Sequence, residues 1–254
     1  MPVCHATQAI VLRTWPFGES DKIVSFLTED HGKITGIAKG AKRSRKRFAN
    51  SLEPFSLVNL CFQDRPRSNL VFILASDLSF GFKYLLASLE KISFASYLVE
   101  ITDGLIGERE ENRPVFQHLK DGLTHLEQTT TLTFLTFFEL KLLQLAGYQP
   151  SLDSCRRCGK SRRDQFAVRW HFSLRDGGIF CETCSKLRKE IFPLSAITLE
   201  FLCKLQEEKS MPLSDILLPN AALKEIRFLV LRFIEFHMDR KIKSASFIHQ
   251  FCSM

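Results

Sequence analysis

Four cysteines near the middle of the chain have the spacing of a metal site. They form two Cys-x-x-Cys pairs, Cys155 with Cys158 and Cys181 with Cys184, and 22 residues separate the pairs. Two such turns joined by a short connector can place four thiolates at the corners of a tetrahedron, the geometry that Zn²⁺ prefers. The spacing predicts one structural Zn²⁺ per chain, with no open position for a substrate. Redox chemistry, which needs only one such pair, and free buried thiols are the alternatives.

The residues around the first cysteine pair suit a metal-binding turn. Gly159 allows a tight turn after Cys158, and the neighbouring cations favour thiolate over thiol. The same part of the chain is rich in cations that could bind a polyanion. Its candidate DNA-binding residues are Arg156, Arg157, Arg162 and Arg163.

A second basic run lies closer to the N-terminus. Six of the nine residues from 39 to 47 are cationic: Lys39, Lys42, Arg43, Arg45, Lys46 and Arg47. The run contains no acidic residue that would neutralise it, and the whole chain has a formal net charge of +7. Lysine and arginine spaced along a loop can follow a phosphate backbone and release its condensed counterions. We predict that this run, the basic loop, binds nucleic acid; a solvated loop that serves only solubility is the alternative.

Motifs for catalysis are missing from the sequence. Gly159-Lys160-Ser161 ends like a phosphate-binding loop, but the motif requires a glycine at the position of Ser154. The seven histidines form no His-Glu-x-x-His pattern, and no Gly-x-Ser-x-Gly elbow is present. The chain is therefore predicted to be a binding protein rather than an enzyme.

The elements that must position these residues begin with a β-rich segment. Short apolar or alternating runs predict five strands, at residues 9–12, 23–27, 33–39, 57–62 and 70–74. Gly36 in the third run indicates a β-bulge, and residues 16–21 have the composition of a turn. Five short strands with a long loop after the third are typical of a small closed OB-type barrel. The basic loop follows the third strand, near the surface that such barrels use for single strands.

After about residue 80 the period of the apolar residues changes from 2 to 3.6. Helical spacing begins at Leu85, a second helix opens at Pro114, and a third ends at Gly147. After the cysteines, Ser195 caps one helix and residues 221–238 form the last. The predicted class is α+β, with an N-terminal five-stranded OB-type β-barrel, an α-helical domain and a small Cys4 zinc module inserted between helices. The predicted domains are residues 1–79 (OB fold, DNA-binding), 80–150 (helical, first part), 151–190 (zinc module) and 191–254 (helical, second part).

The sequence indicates a cytoplasmic protein. No run approaches 18 uninterrupted apolar residues, so no membrane span is predicted. The N-terminus lacks the pattern of a secretory signal, and eight cysteines without such a signal favour a reducing compartment. The cysteines outside the two pairs are predicted to be buried or incidental thiols: Cys4, Cys61, Cys203 and Cys252.

Three aromatic residues in or beside the predicted loops are candidates for stacking on nucleic-acid bases: Trp15, Phe17 and Phe48. For each of them, burial as an anchor against the barrel is an equally good interpretation. Most of the 23 phenylalanines occupy helix-core positions. Contacts with phosphates are therefore expected to dominate, with little preference for sequence.

Several segments carry a resemblance to a known family. They are Gly18-Glu19-Ser20-Asp21-Lys22-Ile23-Val24, Gly36-Ile37-Ala38-Lys39-Gly40-Ala41-Lys42-Arg43, Leu52-Glu53-Pro54-Phe55 and Ala146-Gly147-Tyr148-Gln149-Pro150. In these residues the chain strongly resembles RecO, a family of bacterial recombination mediators, and the resemblance runs in order along the whole chain. Some members lack the zinc cysteines, whereas this chain keeps all four.

The resemblance implies a non-enzymatic role in DNA repair and recombination after DNA damage. It implies binding of single- and double-stranded DNA, annealing of complementary strands, and assistance of RecA loading onto DNA coated by single-strand-binding protein. The implied partners are RecR, the acidic C-terminal tail of the single-strand-binding protein and, indirectly, RecA. That tail ends in an aromatic residue beside a carboxylate, so its site should be an apolar pocket rimmed by cations. The candidate cations are Lys83, Lys141, Arg227 and Arg232.

Two other classes of function compete with this interpretation. A structural adaptor would use its basic surface to bridge acidic protein tails without binding DNA directly. A nuclease or nucleotide-dependent enzyme would need clustered carboxylates near the basic loop. The nearby pairs, Glu19 with Asp21 and Glu29 with Asp30, have the character of turn residues.

Overall fold

The computed structural model describes residues 3–44, 46–163, 169–188, 190–211 and 218–251. It divides into two compact units, residues 1–128 and 129–254. The first unit holds a closed barrel with two helices, and the second holds helices, a small sheet and the four paired cysteines. The predicted fold class is confirmed, whereas the four domain boundaries stay a prediction.

The barrel of the first unit has five strands. They are β1 (Cys4–Phe17), β2 (Asp21–Thr28), β3 (Lys33–Ala38), β4 (Leu57–Gln63) and β5 (Val71–Phe80). Their order around the barrel is β1-β2-β3-β5-β4, and only the β3–β5 pair is parallel. All five predicted strands are present, but the predicted turn at residues 16 and 17 is wrong. β1 continues to Phe17, which pairs with Asp21 of β2.

Alternation along the strands separates the inside of the barrel from the outside. Val24 and Phe26 of β2 belong to the buried core, and so do Ile34 of β3 and Val71 and Ile73 of β5. Successive residues of a strand point to opposite faces, so the residues between these positions face outwards. The register of the strand pairs is therefore fixed, because a shift by one residue would turn these apolar side chains out of the barrel.

Gly36 does not form the predicted bulge. β2 and β3 pair without interruption there, with Val24 opposite Gly36 and Ser25 opposite Thr35. A Cβ atom at Gly36 would lie 2.4 Å from Cδ1 of Ile73 and 2.7 Å from Cγ2 of Val71. The glycine is needed because β5 packs closely against this point, where the parallel β3–β5 pair closes the barrel.

Replacing Gly36 by Ala is expected to lower the free energy of unfolding by about 1–3 kcal/mol, because the new methyl group overlaps a packed core. Chemical unfolding monitored by circular dichroism measures the change. Gly81→Ala is the matched control, since a Cβ there would meet Leu78 at an ordinary 3.6 Å. Equal stability of the Gly36 variant and the wild type would contradict the close packing.

Two helices complete the first unit: α1 (Leu89–Leu105) and α2 (Arg113–Leu126). α2 begins as predicted, with Asn112 as its N-cap and Pro114 in its first turn. α1 begins later than predicted, because Ser88 caps it and accepts a hydrogen bond from the Lys91 N–H. Both helices contact the barrel, α1 at β1 and α2 at β2.

The second unit begins with α3 (Leu132–Leu145), which ends at Gly147 in a left-handed conformation (φ 82°), as predicted. A three-stranded sheet follows, ordered β7-β6-β8. The remaining elements are β6 (Trp170–Ser173), β7 (Gly178–Cys181), α4 (Glu182–Ser185), β8 (Ile191–Leu194), α5 (Ala196–Glu207), α6 (Asn220–Met238) and α7 (Ala245–Phe251). Ser195 caps α5 as predicted, because its hydroxyl accepts from the Thr198 N–H at 3.2 Å. α3, α5 and α6 pack together as the core of this unit.

Candidate metal centre and nucleic-acid interface

The four paired cysteines come together in the second unit. The sulfur atoms of Cys155, Cys158, Cys181 and Cys184 all lie within 4.8 Å of one another. The Cys158 and Cys181 sulfurs are 3.8 Å apart. Four sulfurs bound tetrahedrally to Zn²⁺ at about 2.3 Å would be separated by about 3.8 Å. The cluster therefore fits the size and ligand number of a four-cysteine metal site and can hold one metal ion.

Local backbone structure explains how the two pairs meet. In the first turn, the Cys155 N–H donates to the Lys160 carbonyl and the Gly159 N–H to the Cys155 carbonyl, both at 2.9 Å. Gly159 adopts φ 72°, a conformation that favours glycine. In the second pair, Cys181 ends β7 and immediately precedes α4, which carries Cys184. The turn thus positions the thiols of the first pair, and the junction of β7 with α4 positions those of the second pair close to them.

The four thiols influence one another's ionisation. Burial alone would raise the pKa of the Cys155 thiol, but N–H groups of Cys158, Cys181 and Arg157 donate to its sulfur and lower the pKa to about 6. Burial and hydrogen bonds with the other three cysteines raise the pKa of Cys184 to about 12. One thiolate forms readily and the last does not, because negative sulfurs at this distance repel. A divalent cation at the centre would remove that repulsion.

The basic residues beside the cysteines differ in exposure. Arg156 and Arg157 are exposed on the first turn. Arg162 is half-buried, its backbone N–H donates to the Asp153 carbonyl, and its guanidinium lies 3.7 Å from the Asp153 carboxylate. Arg163 is exposed and lies 3.6 Å from Glu207. Arg156 and Arg157 are thus the better placed of the four for an external anion, and all four assignments stay predictions.

The basic loop of the first unit follows β3. Its described cations are all exposed: Lys39, Lys42, Arg43, Lys46 and Arg47. Arg45 lies outside the described residues. In the described part of the first unit, none of these five lies at ion-pair distance from a carboxylate. By contrast, other cations of this unit form ion pairs, including Arg13 and Lys33 with Asp103, and Arg113 with Glu29. The loop therefore carries more positive charge than the nearby Asp21 carboxylate, whose pKa Lys39 and Lys42 help to lower, can neutralise.

The basic loop is folded against the β1–β2 turn. The Lys42 ammonium donates to the Gly18 carbonyl at 2.7 Å, and the Gly40 N–H donates to the Asp21 carboxylate at 2.8 Å. The hydrogen bond from the Gly40 N–H is the main reason why the pKa of the Asp21 carboxyl is lowered. A cleft of about 540 Å³ lies along the loop, lined by Lys22, Lys42, Phe48 and Glu53 among others. The basic loop thus has a defined conformation, and it borders a cleft in addition to carrying charge.

The three candidate aromatic residues separate into two groups. Phe48 is 4% exposed and belongs to the barrel core, so it is an anchor. Trp15 and Phe17 are 40% and 49% exposed. Two residues that sequence reasoning did not select also lie on the barrel surface: Phe72 of β5, and Arg65, whose guanidinium lies 4.5 Å from the centre of the Phe72 ring. Only the strand register identifies them, because neither belongs to a local motif.

The remaining cysteines only partly match their prediction. Cys203 is buried, as predicted. Cys4 is exposed and Cys61 half-buried, and their sulfurs lie 2.9 Å apart on neighbouring strands. The hydrogen bond with Cys4, together with burial, raises the pKa of Cys61 to about 11. Cys252 lies outside the described residues.

Among the described residues, no helix is both long enough and apolar enough to cross a membrane.

A closed barrel with an exposed cationic loop, joined in one chain to a helical unit with a four-cysteine cluster, defines the class as an OB-like barrel protein with a potential metal module. Comparison with known families narrows this class. Residues 1–82 match the family described as "Recombination protein O N terminal", and residues 86–246 match "Recombination protein O C terminal". The chain belongs to the RecO family, which supports a role in DNA repair and recombination.

Individual relatives agree over nearly the full length. The DNA repair protein RecO of Syntrophus aciditrophicus is 33% identical over 243 residues, covering 94% of this chain and 93% of that protein. The RecO of Caldanaerobacter subterraneus is 32% identical, covering 95% of this chain and 96% of its own. The RecO of Myxococcus xanthus is 35% identical, with the same two coverages.

Proposed function

We propose that the protein is a recombination mediator that binds single- and double-stranded DNA, anneals complementary strands and assists RecA loading onto DNA coated by single-strand-binding protein. The observation that carries the proposal is the basic loop of an OB-like barrel, whose five described cations outnumber the one carboxylate beside them, Asp21, and form no ion pair at contact distance in the described first unit. Phosphates would supply the missing negative charge. The protein performs this role without bond chemistry, in the cytoplasm and at the nucleoid when it is bound to DNA.

Annealing by such a protein is an electrostatic process. Two phosphate backbones repel each other, and a cationic surface that holds both lowers the repulsion while the bases remain free to pair. The protein carries two cationic areas, the basic loop and the turn with Arg156 and Arg157. In the proposed mechanism, each area holds one strand.

The cysteine cluster holds one structural Zn²⁺ in this proposal. Cys155, Cys158, Cys181 and Cys184 supply four thiolates, so the ion has no open position for a substrate. The bound ion would supply folding free energy to the module rather than chemistry. Its effect on DNA would be indirect, through the position of Arg156 and Arg157 on the first turn.

The proposed protein partners are RecR, the acidic tail of the single-strand-binding protein and, indirectly, RecA. Among the candidate cations for the tail, Arg227 is the least suitable, because it donates to the fully buried Glu139 carboxylate at 2.5 Å. Arg232 is better placed: its side chain is exposed, lies over the Phe228 ring at 5.6 Å and reaches the Glu235 carboxylate only at 3.7 Å. In this arrangement Arg232 would pair with the carboxylate of the tail, and Phe228 would contact its aromatic side chain.

The experiment that tests this function is annealing of complementary oligonucleotides coated with single-strand-binding protein. It is run without ATP across a salt series, with the intact coating protein and with a version that lacks its acidic tail. We expect annealing that weakens with salt, because phosphate contacts release counterions, and that requires the tail. Binding of the tail without binding of DNA would instead support the adaptor. Turnover that depends on Mg²⁺ or ATP would support an enzyme.

A further inference from the structure

A row of apolar side chains crosses four neighbouring strands on the outer face of the barrel. The strand register pairs Trp15 of β1 with Ile23 of β2, Ile23 with Ile37 of β3, and Ile37 with Phe72 of β5. We call these four residues the outer row. Residues paired across a sheet share a face, so the four side chains lie side by side.

The alternation of the strands places the outer row outside the barrel. Val24 follows Ile23 in β2 and points into the core, and so do Val71 and Ile73 on either side of Phe72. Neighbouring residues of a strand face opposite sides, so Ile23 and Phe72 face outwards. Phe17 shares the face of Trp15, two residues further along β1.

Aromatic rings lie at both ends of the outer row, and two cations lie at the Phe72 end. Trp15 and Phe17 are 40% and 49% exposed at one end. At the other end, the Lys39 ammonium lies 5.2 Å and the Arg65 guanidinium 4.5 Å from the centre of the half-buried Phe72 ring. The cations at this end come from two different loops, so phosphates that pass beside Phe72 would meet positive charge on both sides of the ring.

We propose that the outer row is a stacking platform for unpaired bases of single-stranded DNA. Trp15, Phe17 and Phe72 stack on bases, while Lys39 and Arg65 contact the phosphates that link them. Base stacking on aromatic side chains combined with a cationic groove is the general way in which proteins hold single strands. This inference rests on the proposed DNA-binding function and adds to it a site that prefers single strands.

The position of the row in the barrel supports this occupant. OB folds bind oligonucleotides on the face of the second and third strands, between the loop that follows the first strand and the loop that precedes the fifth. Here half-buried Ile23 and Ile37, which is 7% exposed, form the floor of that face, and the more exposed rings flank them. The β1–β2 turn lies beside Trp15 and Phe17, and the β4–β5 loop carries Arg65. The excess of cations at the row favours a phosphate-linked ligand over an apolar peptide.

A platform of this kind distinguishes single strands from duplexes. In a duplex the faces of the bases already stack on one another, so they cannot lie on Trp15 or Phe72 without breaking pairs. Duplex binding therefore depends on the cationic areas without the outer row, whereas single-strand binding uses both. The two contributions can be separated by substitutions that leave every charge in place.

The test compares Trp15→Ala, Trp15→Phe and Phe72→Leu with the control Tyr84→Ala. Tyr84 is a more exposed aromatic residue of the same unit (69%), and it lies outside the row. Affinities for labelled oligothymidylate and for a duplex of equal length are measured by fluorescence anisotropy over a salt series. We expect Trp15→Ala and Phe72→Leu each to weaken single-strand binding by about tenfold and to leave duplex binding within about twofold. Trp15→Phe should retain most of the affinity, and the salt slope should not change, because no phosphate contact is lost.

Quenching of tryptophan fluorescence is a second measurement, and it detects contact between Trp15 and the oligonucleotide directly. The chain has two tryptophans, and the other, Trp170, is 4% exposed, so Trp15 dominates quenching by external ligands. Oligothymidylate should quench the fluorescence of the wild type and of Trp170→Phe, but not that of Trp15→Ala. Unchanged single-strand affinity in Trp15→Ala and Phe72→Leu, or equal losses for duplex and single strand, would overturn the platform. Failure of the wild type to bind any DNA would instead overturn the proposed function itself, and quenching by the acidic tail peptide alone would assign the row to a protein partner.

Discussion

Replacement of Cys155 or Cys181 by Ser is expected to abolish metal binding and to destabilise the second unit. The metal content should fall from about one Zn²⁺ per chain to nearly none, because a serine hydroxyl does not replace a thiolate in a four-sulfur site. The free energy of unfolding should fall by at least about 3 kcal/mol, since metal binding energy in such modules is folding energy. Elemental analysis and thermal unfolding of the same preparations measure both effects.

The structure gives two reasons for so large an effect. Both side chains are buried, at 2% and 4% exposure, and the four sulfurs lie within 4.8 Å of one another. In addition, the first cysteine turn is joined to β7 by the hydrogen bonds from the Arg156 N–H to the Ile179 carbonyl and from the Ile179 N–H to the Ser151 carbonyl, at 2.9 and 3.0 Å. The backbone thus holds the four sulfurs at a distance where thiolates repel, and a bound cation would offset that repulsion.

Cys203→Ser is the matched control, because Cys203 is an equally buried thiol of the same unit that lies outside the cluster. It should lose some stability and retain the full metal content. Acidification offers an independent check, since protons compete with the metal for the thiolates and the affinity should fall as the pH is lowered. A melting transition of the wild type that survives complete removal of metal would contradict a structural role.

Local chemistry explains which features could be predicted from the sequence. The cluster can be predicted from cysteine spacing alone, because each Cys-x-x-Cys pair forms within a few residues. Its members are Cys155, Cys158, Cys181 and Cys184. The helix ends at Asn112, Ser195 and Gly147 follow from capping rules of the same short range. Apolar alternation likewise gave the five strands of the barrel.

Features that depend on long-range register could not be predicted in this way. The requirement for a glycine at position 36 comes from Ile73 and Val71, which are far away in the chain. The outer row joins Trp15 to Phe72 through three strand pairings, one of them parallel. Nothing within either segment indicates the other, so Arg65 and Phe72 escaped selection although both are visible in the sequence.

Charge reversal in the basic loop is expected to have the largest effect on DNA binding. Arg43 and Lys46 are the best positions, because both are exposed and neither side chain makes a described hydrogen bond, unlike those of Lys42 and Arg47. Arg43→Glu with Lys46→Glu should weaken binding of single strands by about a hundredfold at low salt. The salt slope should fall by about 1.4, since each lost phosphate contact removes about 0.7.

The matched control is Lys209→Glu with Lys224→Glu, which changes the net charge equally at exposed positions of the second unit. Its affinity should fall much less if the basic loop itself contacts the phosphates, because neither lysine belongs to that loop. Equal losses in the two double variants would show that only net charge matters. An unchanged salt slope in the loop variant would mean that the basic loop is merely solvated.

The same design separates binding from annealing. Arg156→Glu with Arg157→Glu removes the exposed cations of the cysteine turn and leaves the basic loop intact. If each cationic area holds one strand, this variant should keep most of its affinity for a single strand and lose most of its annealing rate, because the second backbone is no longer neutralised. The loop variant should lose both. Annealing and salt dependence that survive either substitution unchanged would contradict the mechanism with two areas, and they would leave one surface to hold both strands.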